Sequence, residues 1–483
     1  MNKALLCVGV LALRASAQQT DSQAPPAYQL MRYDEDWSTL SDPSHHSDWL
    51  DPLKYISFGR TGWYMTLGGE IREKFELLDE PGFGVGPGDQ NGYLLQRYLL
   101  SSDFHLGSRF RFFTELQSGL EEGRNGGPRP TDLDRLDVHQ AFMDWRISGP
   151  ETDGVTLRIG RQELAFGSGR LVAPAEGLNL RRSLDGARIN IKKGKINFNA
   201  SAIRLVTTKT GIFDDLPDHQ QTFWGAGFVE PRPFWKIANI GVYYMGFDNK
   251  KSIFAKGIGR EIRATFGAHV WKHNGPWDYD DEGVFQWGSF RGAPIRAWAL
   301  SEDGGYTFAR FPFHPRLGFQ ADATSGDQGQ GHRSLGSFNP LFSAVPVWSG
   351  PSALLGGINL VNVTPSVRLG FTRALTLTLE SSTFWRESRY DAVYTAFNTP
   401  LRPANPNASR YLATAPSATW AWQATRHTFY SIIYSHFFTG DFFRKQPPDR
   451  NVNYLAAWIS YRFCLAQQNL WVVDSGSGSR PKL

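Results

Sequence analysis

A two-residue alternation of apolar and polar side chains runs through most of the chain. In residues 93–106, for example, apolar side chains alternate with polar ones that include Arg97, Asp103 and His105. The pattern recurs in residues 64–77, 109–120, 139–147, 155–160, 187–192, 195–202, 375–382 and 455–463. Because successive side chains of a strand point to opposite faces, this period predicts many β-strands, each with one apolar and one polar face.

Apolar and polar side chains alternate both in a soluble β-sandwich and in a membrane β-barrel, and the lengths of the connections between strands distinguish the two folds. Long connections (79–92, 121–134, 163–185) alternate along the chain with short ones (106–109, 148–154, 192–195). A soluble β-sandwich has no reason to follow this rule, whereas an outer-membrane barrel places short turns in the periplasm and long loops outside. We therefore predict an all-β fold, a large antiparallel transmembrane β-barrel of about 16–18 strands. Residues 290–320 give no clear pattern.

Composition removes several classes of protein. No window reaches the roughly 18 uninterrupted apolar residues of a membrane-spanning helix. Aromatic residues make up 14% of the chain, which fits the aromatic girdles of a barrel. The two cysteines, Cys7 and Cys464, lie near the ends, so the body contains no cysteine metal site or disulfide. The net charge of +5 is too small to argue for nucleic acid.

The ends of the chain predict export. Lys3, an apolar run at 4–13 and the small residues Ala15-Ser16-Ala17 form a signal peptide, residues 1–17, cleaved near Ala17. Residues 18–63 lack a sustained period and predict an irregular periplasmic arm. The barrel then covers residues 64–463 and ends on the aromatic Phe463, and residues 464–483 predict a disordered tail. This order predicts a protein of the bacterial outer membrane.

The stretch 155–191 carries a set of motifs. They are Gly160-Arg161-Gln162-Glu163, Gly167-Ser168-Gly169-Arg170-Leu171, Glu176, Asn179-Leu180-Arg181-Arg182 and Asp185-Gly186. Other motifs follow the same order elsewhere, among them Gly68-Gly69-Glu70-Ile71-Arg72, Phe213-Asp214-Asp215 and Ser325-Gly326-Asp327. As a set, these motifs resemble the alginate-export family of bacterial outer-membrane porins. The resemblance implies a large barrel that passes an anionic polysaccharide outward.

Cations outnumber anions on the predicted lumen face. The strand cations are Arg72, Lys74, Arg97, Arg109, Arg111, Arg146, Arg158, Arg188, Lys192, Lys195 and Arg462, and the anions are Glu70, Glu76, Asp103, Glu115 and Asp144. Arg161 has the opposite parity and faces inward only if a bulge or the strand end intervenes. Two explanations stay open: the arginines form an anion-selective path, or they pair with the acids and fill the wall.

The loop 163–185 adds Arg170, Arg181 and Arg182, with several glycines that permit sharp backbone turns. We expect this loop to fold into the lumen as part of a constriction. We expect Glu176 to pair with one of the loop arginines, since an ion pair shielded from water is screened less.

The predicted function is an outer-membrane porin that passes an anionic polysaccharide through a lumen lined with arginine and lysine. A general anion or oligosaccharide porin, a plugged structural barrel and a polysaccharide-cleaving enzyme remain as alternatives. An enzyme would use lumen acids such as Glu70, Asp103 or Glu115, but nearby arginines disfavour a general acid. We expect no catalytic residue, cofactor or metal. The expected partners are the polysaccharide and outer-membrane lipid, with periplasmic export partners left open.

Overall fold

The computed structural model describes residues 29–230, 238–329, 331–344 and 346–463. Its strands, in chain order, are β1 Ile56–Ser57, β2 Trp63–Leu78, β3 Tyr93–Leu106, β4 Phe110–Glu122, β5 Asp134–Ser148, β6 Gly154–Gln162, β7 Leu184–Lys193, β8 Ile196–Thr207, β9 Leu216–Pro217, β10 Gln221–Glu230, β11 Asn239–Phe254, β12 Gly257–Lys272, β13 Trp277–Phe290, β14 Ala293–Thr307, β15 Arg316–Thr324, β16 Val361–Gly370, β17 Leu375–Trp385, β18 Val393–Tyr394, β19 Pro400–Arg402, β20 Tyr411–Gln423, β21 Thr428–Thr439 and β22 Val452–Arg462. The helices are short: 3-10 turns at Arg32–Asp34, Ser38–Ser41 and Pro43–His45, and α1 Asp51–Lys54, α2 Pro81–Gly84, α3 Pro346–Ser349 and α4 Asp441–Arg444.

Eighteen of these strands pair with their neighbours, all antiparallel, into one closed barrel. The seam is formed by β2 and β22, where Glu70 pairs with Arg462 and Leu78 with Tyr454. Closure leaves no sheet edge unpaired, which a strand inside a membrane requires. The predicted fold class is therefore confirmed. The unparsed residues 290–320 form β14 and the start of β15.

The outer face of the barrel is apolar and exposed. Leu100 and Leu300 are each 60% exposed, and further outward side chains with large exposure are Leu94, Phe112, Ile159, Phe266, Phe285, Phe319, Leu379, Ile432 and Tyr434. A soluble protein does not expose so continuous an apolar surface. Trp145, Trp277 and Trp422 lie close to strand ends, where aromatic girdles meet the lipid headgroups. This surface fits a lipid bilayer. No helix in the described ranges has the length and apolarity to cross a membrane.

The connections divide the barrel into a turn end and a loop end. At the turn end the links are short, such as 107–109, 194–195 and 371–374. The loop end carries the links 79–92, 163–183, 325–360, 386–410 and 440–451, among others. Two links at the loop end, 255–256 and 291–292, have only two residues, so the length rule holds for most pairs rather than all. By this asymmetry the turn end is periplasmic.

The long loops fold over one another inside the loop end. Phe342 of loop 325–360 packs on Phe223 and Phe247 of the wall, with ring centroids 5.8 and 5.6 Å apart. Its backbone N–H donates to the carbonyl of Leu171, 2.8 Å away, in loop 163–183. Phe83 of α2 stacks on Phe443 of α4 at 4.2 Å. These contacts belong to one large buried cluster, so the loop end has its own apolar core.

The N-terminal arm enters the barrel from the turn end. Met31, Tyr33, Trp37 and Leu40 are buried, and Tyr33 packs edge-on against Phe142 of β5 at 5.4 Å. The sequence places the arm, residues 18–63, in the periplasm because it lacks a strand period. Within the described part, Tyr33 and its buried neighbours contact the lumen wall, and the periplasmic position of the rest of the arm stays a prediction. Residues 1–28 and 464–483, including the predicted signal peptide and tail, lie outside the described residues.

We expect the purified protein to behave as a closed membrane barrel. In detergent its far-UV circular dichroism should be β-rich, and an unheated sample should migrate differently from a boiled one in gel electrophoresis. The reason is that a closed sheet has no free edge from which unfolding can start. A helix-rich spectrum, or identical migration before and after boiling, would contradict the fold.

Candidate functional site: the basic wall and the inner loop

Strands β2 to β7 present a wall of inward-facing cations, here called the basic wall. Arg72, Arg97, Arg111, Arg158 and Arg188 have the parity opposite to the exposed apolar side chains of their strands. These arginines face the lumen because side chains alternate along each strand: one set of alternate residues faces lipid and the other set faces the lumen. Most of these arginines have partners, and the identity of each partner decides what the arginine can do.

Glu70 on β2 is the centre of the basic wall and is fully buried. Its carboxylate accepts from Arg97 Nη2 at 2.5 Å, from Arg32 Nη2 at 2.8 Å and from Arg462 Nε at 2.8 Å. These three arginines come from β3, the N-terminal arm and β22. One carboxylate therefore joins the seam of the barrel to its neighbouring strand and to the arm.

The loop 163–183, here called the inner loop, crosses the lumen. On one side its Glu176 carboxylate pairs with Arg97 Nη2 at 2.5 Å, and its Glu176 carbonyl accepts from Arg72 Nη1 at 3.0 Å. Asn179 Nδ2 donates to the Asp132 carbonyl at 2.7 Å. On the far side Arg170 Nη1 donates to Asp280 Oδ1 of β13 at 3.0 Å. The inner loop is thus held at both walls by polar contacts.

Arg181 and Glu163 form the ion pair inside the inner loop. Arg181 Nη2 donates to Glu163 Oε2 at 2.8 Å, and its Nε donates to Oε1. Arg181 also pairs with Glu176, as the sequence predicts for one of the loop arginines. Although burial opposes it, the Arg181 guanidinium lowers the pKa of Glu163 to about 2. At neutral pH this pair is fully charged, so Arg181 is committed to the loop.

Arg182 has a different role from Arg181. Its Nη1 donates to the carbonyls of Ala173, at 3.1 Å, and of Phe342. Burial lowers the pKa of Arg182 to about 10, still well above neutral. Arg182 joins the inner loop to loop 325–360 through neutral carbonyls.

Opposite the basic wall lies an acidic one. Its inward carboxylates are Asp278, Asp280 and Glu282 on β13, Asp303 on β14, Asp322 on β15 and Glu380 on β17. Arg170 reaches across to this wall, with Asp280 at 3.0 Å and Asp322 at 3.8 Å. The lumen is therefore polarised: cations outnumber carboxylates on β2 to β7, and carboxylates outnumber cations on β13 to β17, where Arg316 pairs with Asp278.

The arm occupies the space in front of the basic wall. Arg158 lies 4.0 Å from the Tyr33 ring and 3.8 Å from the Phe142 ring, and Arg111 Nη2 donates to the Tyr33 carbonyl at 2.5 Å. The Tyr33 hydroxyl donates to the Glu163 carbonyl at 3.0 Å. Burial raises the pKa of Tyr33 to about 12, so the hydroxyl stays a donor. The arm thus links the basic wall to the inner loop.

Asp34 is exposed to the lumen, whereas its neighbours Tyr33 and Glu35 are buried. Four cations act on its carboxylate, namely Arg158, Arg188, Arg111 and Lys192. Among the described residues, no carboxylate forms an ion pair with Arg188 or Lys192. Arg158 and Arg111, in contrast, pair with Asp144 at 2.7 Å and Asp103 at 2.7 Å. The cations of the basic wall that lack a carboxylate partner among the described residues are therefore those that face Asp34.

Several predicted lumen cations lie elsewhere. Arg109 is exposed in the turn 107–109 and Lys195 lies in the turn 194–195, because β4 and β8 each begin one residue later than their patterns suggest. Arg161 keeps the outward parity at the end of β6, where its Nε donates to Asp185 Oδ1 at 2.9 Å. The structure therefore removes these three from the lumen. Arg146 faces inward at the turn end and pairs with Glu151 at 3.1 Å, and Lys74 pairs with Glu76 at 2.8 Å.

Two features of the lumen were not found by sequence reasoning. The arm residues Arg32, Tyr33 and Asp34 have no period that would place them against a strand. The acidic wall had a partial signal, since Asp278, Asp280 and Glu282 share one parity in the sequence. To predict an acidic wall from this pattern, β14 and β15 must also be recognised as strands, and they lie largely in residues 290–320, where the sequence shows no clear pattern.

Two groups of side chains in the described ranges have metal-ligand spacing. Glu115, His139 and Glu163 are all buried, with His139 Nε2 2.8 Å from Glu163 Oε1. Arg181 already donates to both oxygens of Glu163, which makes that group a poor cation site. The second group consists of Asp137, Asp214 and Asp215 at the loop end.

Comparison with known proteins gives a family and a fold. Residues 63–457 match the family described as alginate export. No curated protein matches the sequence. Among solved structures, OccAB2 of Acinetobacter baumannii has a TM-score of 0.57 at 10% identity, covering 82% of this chain and 97% of that one. The BenF-like porin of Pseudomonas fluorescens Pf-5 has a TM-score of 0.55 at 13% identity, covering 83% of this chain and 99% of that one. Pseudomonas aeruginosa OccK2 in complex with glucuronate has a TM-score of 0.53 at 13% identity, covering 84% of this chain and 98% of that one.

Glu70→Gln should destabilise the barrel strongly. The substitution removes the charge shared by Arg97, Arg32 and Arg462, and leaving buried charges uncompensated costs about 3–5 kcal/mol. The free energy of unfolding, measured by urea titration in lipid vesicles with tryptophan fluorescence, should fall by that amount. Glu73→Gln is the matched control on the same strand, because Glu73 faces outward and, among the described residues, accepts only from the Tyr98 hydroxyl, at 2.9 Å. Equal losses for both variants would contradict the role of Glu70.

Removing the arm should open the pore. A chain that lacks residues 18–41 should have a larger single-channel conductance than one that lacks only residues 18–28, since Tyr33 and its neighbours no longer occupy the lumen. Its anion preference should also rise, because residues 29–41 carry three acids, Asp34, Glu35 and Asp36, and one cation, Arg32. Planar-bilayer recordings measure both quantities. Equal conductance for the two deletions would contradict an occluding arm.

Proposed function

Because the chain belongs to the alginate export family and is an outer-membrane porin, we propose that it passes an anionic polysaccharide of the polyuronate class along its basic wall. The observation that carries the proposal is the position of Asp34. This carboxylate, exposed in the lumen, lies in the field of Arg111, Arg158, Arg188 and Lys192. A uronate carboxylate would meet the same cations once the arm has moved.

The spacing of charges suits a polymer that must enter and leave. Arg111 and Arg158 are partly neutralised by Asp103 and Asp144, so each attracts an added carboxylate only weakly. Several weak sites in a row let a polyanion move from one to the next, whereas a single strong site would trap it. The acidic wall repels the same polymer and keeps it on the side of β2 to β7.

Aromatic rings complete the path. Tyr33 and Phe142 lie at the basic wall, 5.4 Å apart, with Arg158 against both. Displacement of the arm would leave the Phe142 ring beside Arg158. An apolar ring beside a cation suits a uronate sugar, which has an apolar face and a carboxylate. The solved OccK2 complex holds glucuronate, a single uronate, and supports this class of substrate by analogy of fold.

A second candidate is a porin for small anions or short oligosaccharides. The inner loop favours it, because the loop crosses the lumen and is fixed at both walls by Arg97–Glu176 and Arg170–Asp280. A fixed loop would pass monomers but stop a long chain. The two candidates differ in how transport depends on polymer length. The family and fold also suggest a channel rather than an enzyme.

Arg188→Gln with Lys192→Gln should reduce anion preference without unfolding the barrel. Both side chains face the lumen and have no carboxylate partner among the described residues. Each unit charge about 4 Å from a permeant ion contributes about 1 kcal/mol in water, so removing two charges should lower the anion-to-cation permeability ratio by about fivefold to thirtyfold. Reversal potentials in a salt gradient measure this ratio.

Lys193→Gln with Lys195→Gln is the matched control for that experiment. It removes the same charge from the same hairpin, but Lys193 and Lys195 are exposed at the turn. We expect little change in the permeability ratio. The proposal fails if the Arg188/Lys192 variant keeps the wild-type ratio, or if both variants lose preference equally.

A further inference from the structure

Three aspartates meet where loop 208–220 touches the barrel, and a fourth lies beside them. Asp137 lies near the start of β5, and its Oδ2 accepts from the backbone N–H groups of Asp214, at 2.8 Å, and Asp215, at 2.9 Å. One carboxylate oxygen from each of Asp137, Asp214 and Asp215 lies within 4.8 Å of the others. The fourth member, Asp134, is the first residue of β5.

Asp134 is a buried acid without a side-chain partner. Its side chain is fully buried, no side chain within the described ranges donates a hydrogen bond to it, and the backbone N–H of Leu136 is the donor that acts on its carboxylate. The negative charges of Asp215, Asp137 and Asp214 all act on it. Within the described ranges, Asp214 Oδ1 is buried without a donor. Buried carboxylates without a counter-charge are unfavourable, so these oxygens point to a missing cation.

The protein's own cation at this place is committed elsewhere. Arg161 Nη1 is 3.6 Å from Asp137 Oδ1, but its Nε donates to Asp185 at 2.9 Å and its Nη2 to the Asp215 carbonyl at 3.3 Å. One arginine is therefore shared among Asp137, Asp185 and Asp215.

We propose that Asp137, Asp214 and Asp215, with Asp134 beside them, bind a calcium ion. Calcium takes oxygen ligands at about 2.3–2.6 Å, so two oxygens on opposite sides of the ion are about 4.6–5.2 Å apart. The three carboxylate oxygens, all within 4.8 Å of one another, are close enough to share one such ion. Magnesium usually keeps several waters and binds one or two carboxylates in a strict octahedron, so a group of three carboxylates fits calcium better.

The ion would fix loop 208–220 to the wall at the loop end. The loop already contacts β5 through the N–H of Phe213, which donates to the Leu136 carbonyl at 2.9 Å, and Lys209 N–H donates to Asp215 Oδ1 at 2.6 Å. Without a cation, repulsion among the four carboxylates opposes these contacts. With the ion bound, the same carboxylates hold loop and strand together. The site is separate from the basic wall and does not depend on the transported substrate.

Calcium titration of the full-length protein in detergent, after removal of divalent ions with a chelator, tests the site. We expect saturable binding, measured by calorimetry, with half-saturation at roughly 0.1–1 mM, as in extracellular calcium modules. Asp214→Asn with Asp215→Asn should weaken binding by about tenfold or more, because affinity follows the number of charged ligands. Asp441→Asn with Asp449→Asn, in loop 440–451 at the same end, is the matched control and should bind like wild type.

Thermal unfolding separates a metal site from a purely structural cluster. Calcium should raise the melting temperature of wild type and of the control, but not of the Asp214/Asp215 variant. Without calcium that variant should be at least as stable as wild type, since asparagine oxygens still accept the Lys209 hydrogen bond and the repulsion is smaller. The proposal is overturned if wild type binds no calcium, or if the variant binds and responds as wild type does.

If the double variant does not fold, Asp134→Asn takes its place, because no side chain in the described ranges donates to the Asp134 carboxylate and an asparagine oxygen still accepts from the Leu136 N–H. A weaker calcium response supports the site. An unchanged response overturns the part assigned to Asp134 and the proposal with it.

Discussion

A continuous network of buried side chains of alternating charge connects the arm, the barrel wall and the inner loop. It runs from Arg32 to Glu70, Arg97, Glu176, Arg181 and Glu163, with the ion pairs in contact at every step. Taking charges out of water costs several kcal/mol per ion, and this cost is offset only when each charge has well-placed partners. Each member therefore depends on the next. This network of ion pairs begins in the arm, passes through the barrel seam and ends in the inner loop.

The closed barrel explains why these charges are in one place. A strand in a membrane must turn its apolar parity to lipid, so its polar parity is collected in the lumen. On β2 to β7 that parity is rich in arginine, and on β13 to β17 it is rich in carboxylates. Most of the charges pair within or between walls and build the structure. Arg188 and Lys192 keep their charge available to the lumen, and it is these residues that face Asp34.

Both explanations that the sequence left open for the arginines therefore apply, to different residues. Arg97, Arg170 and Arg181 are buried and paired, and they position the inner loop. The cations around Asp34 are the ones that an anion in the lumen could reach. Direct contact of any of these residues with a glycan remains a prediction.

Periodicity predicts what depends on neighbours in sequence and fails where contacts are long-range. It gives the barrel, the apolar outer face and the inward parity of Arg97, Arg111, Arg158 and Glu70. It misplaces Arg109 because one residue decides whether a side chain is on a strand or in a turn. It could not place Tyr33, whose partners are in β4, β5 and β6.

The aspartate group was hidden for a similar reason. Asp214 and Asp137 are 77 residues apart in sequence, and only the fold of loop 208–220 brings them together. The expectation of no metal followed from cysteine and histidine patterns, which carry no information on oxygen ligands contributed by distant segments.

The most direct test of the account compares oligosaccharides of equal length in a planar bilayer. An oligouronate added to the turn-end side should interrupt the single-channel current, and its methyl ester and a neutral oligosaccharide should not, because only the charged chain interacts with the basic wall. The interruptions should be more frequent in the chain without residues 18–41. Equal interruption by charged and neutral chains, or none by any of them, would contradict passage of a polyanion along the basic wall.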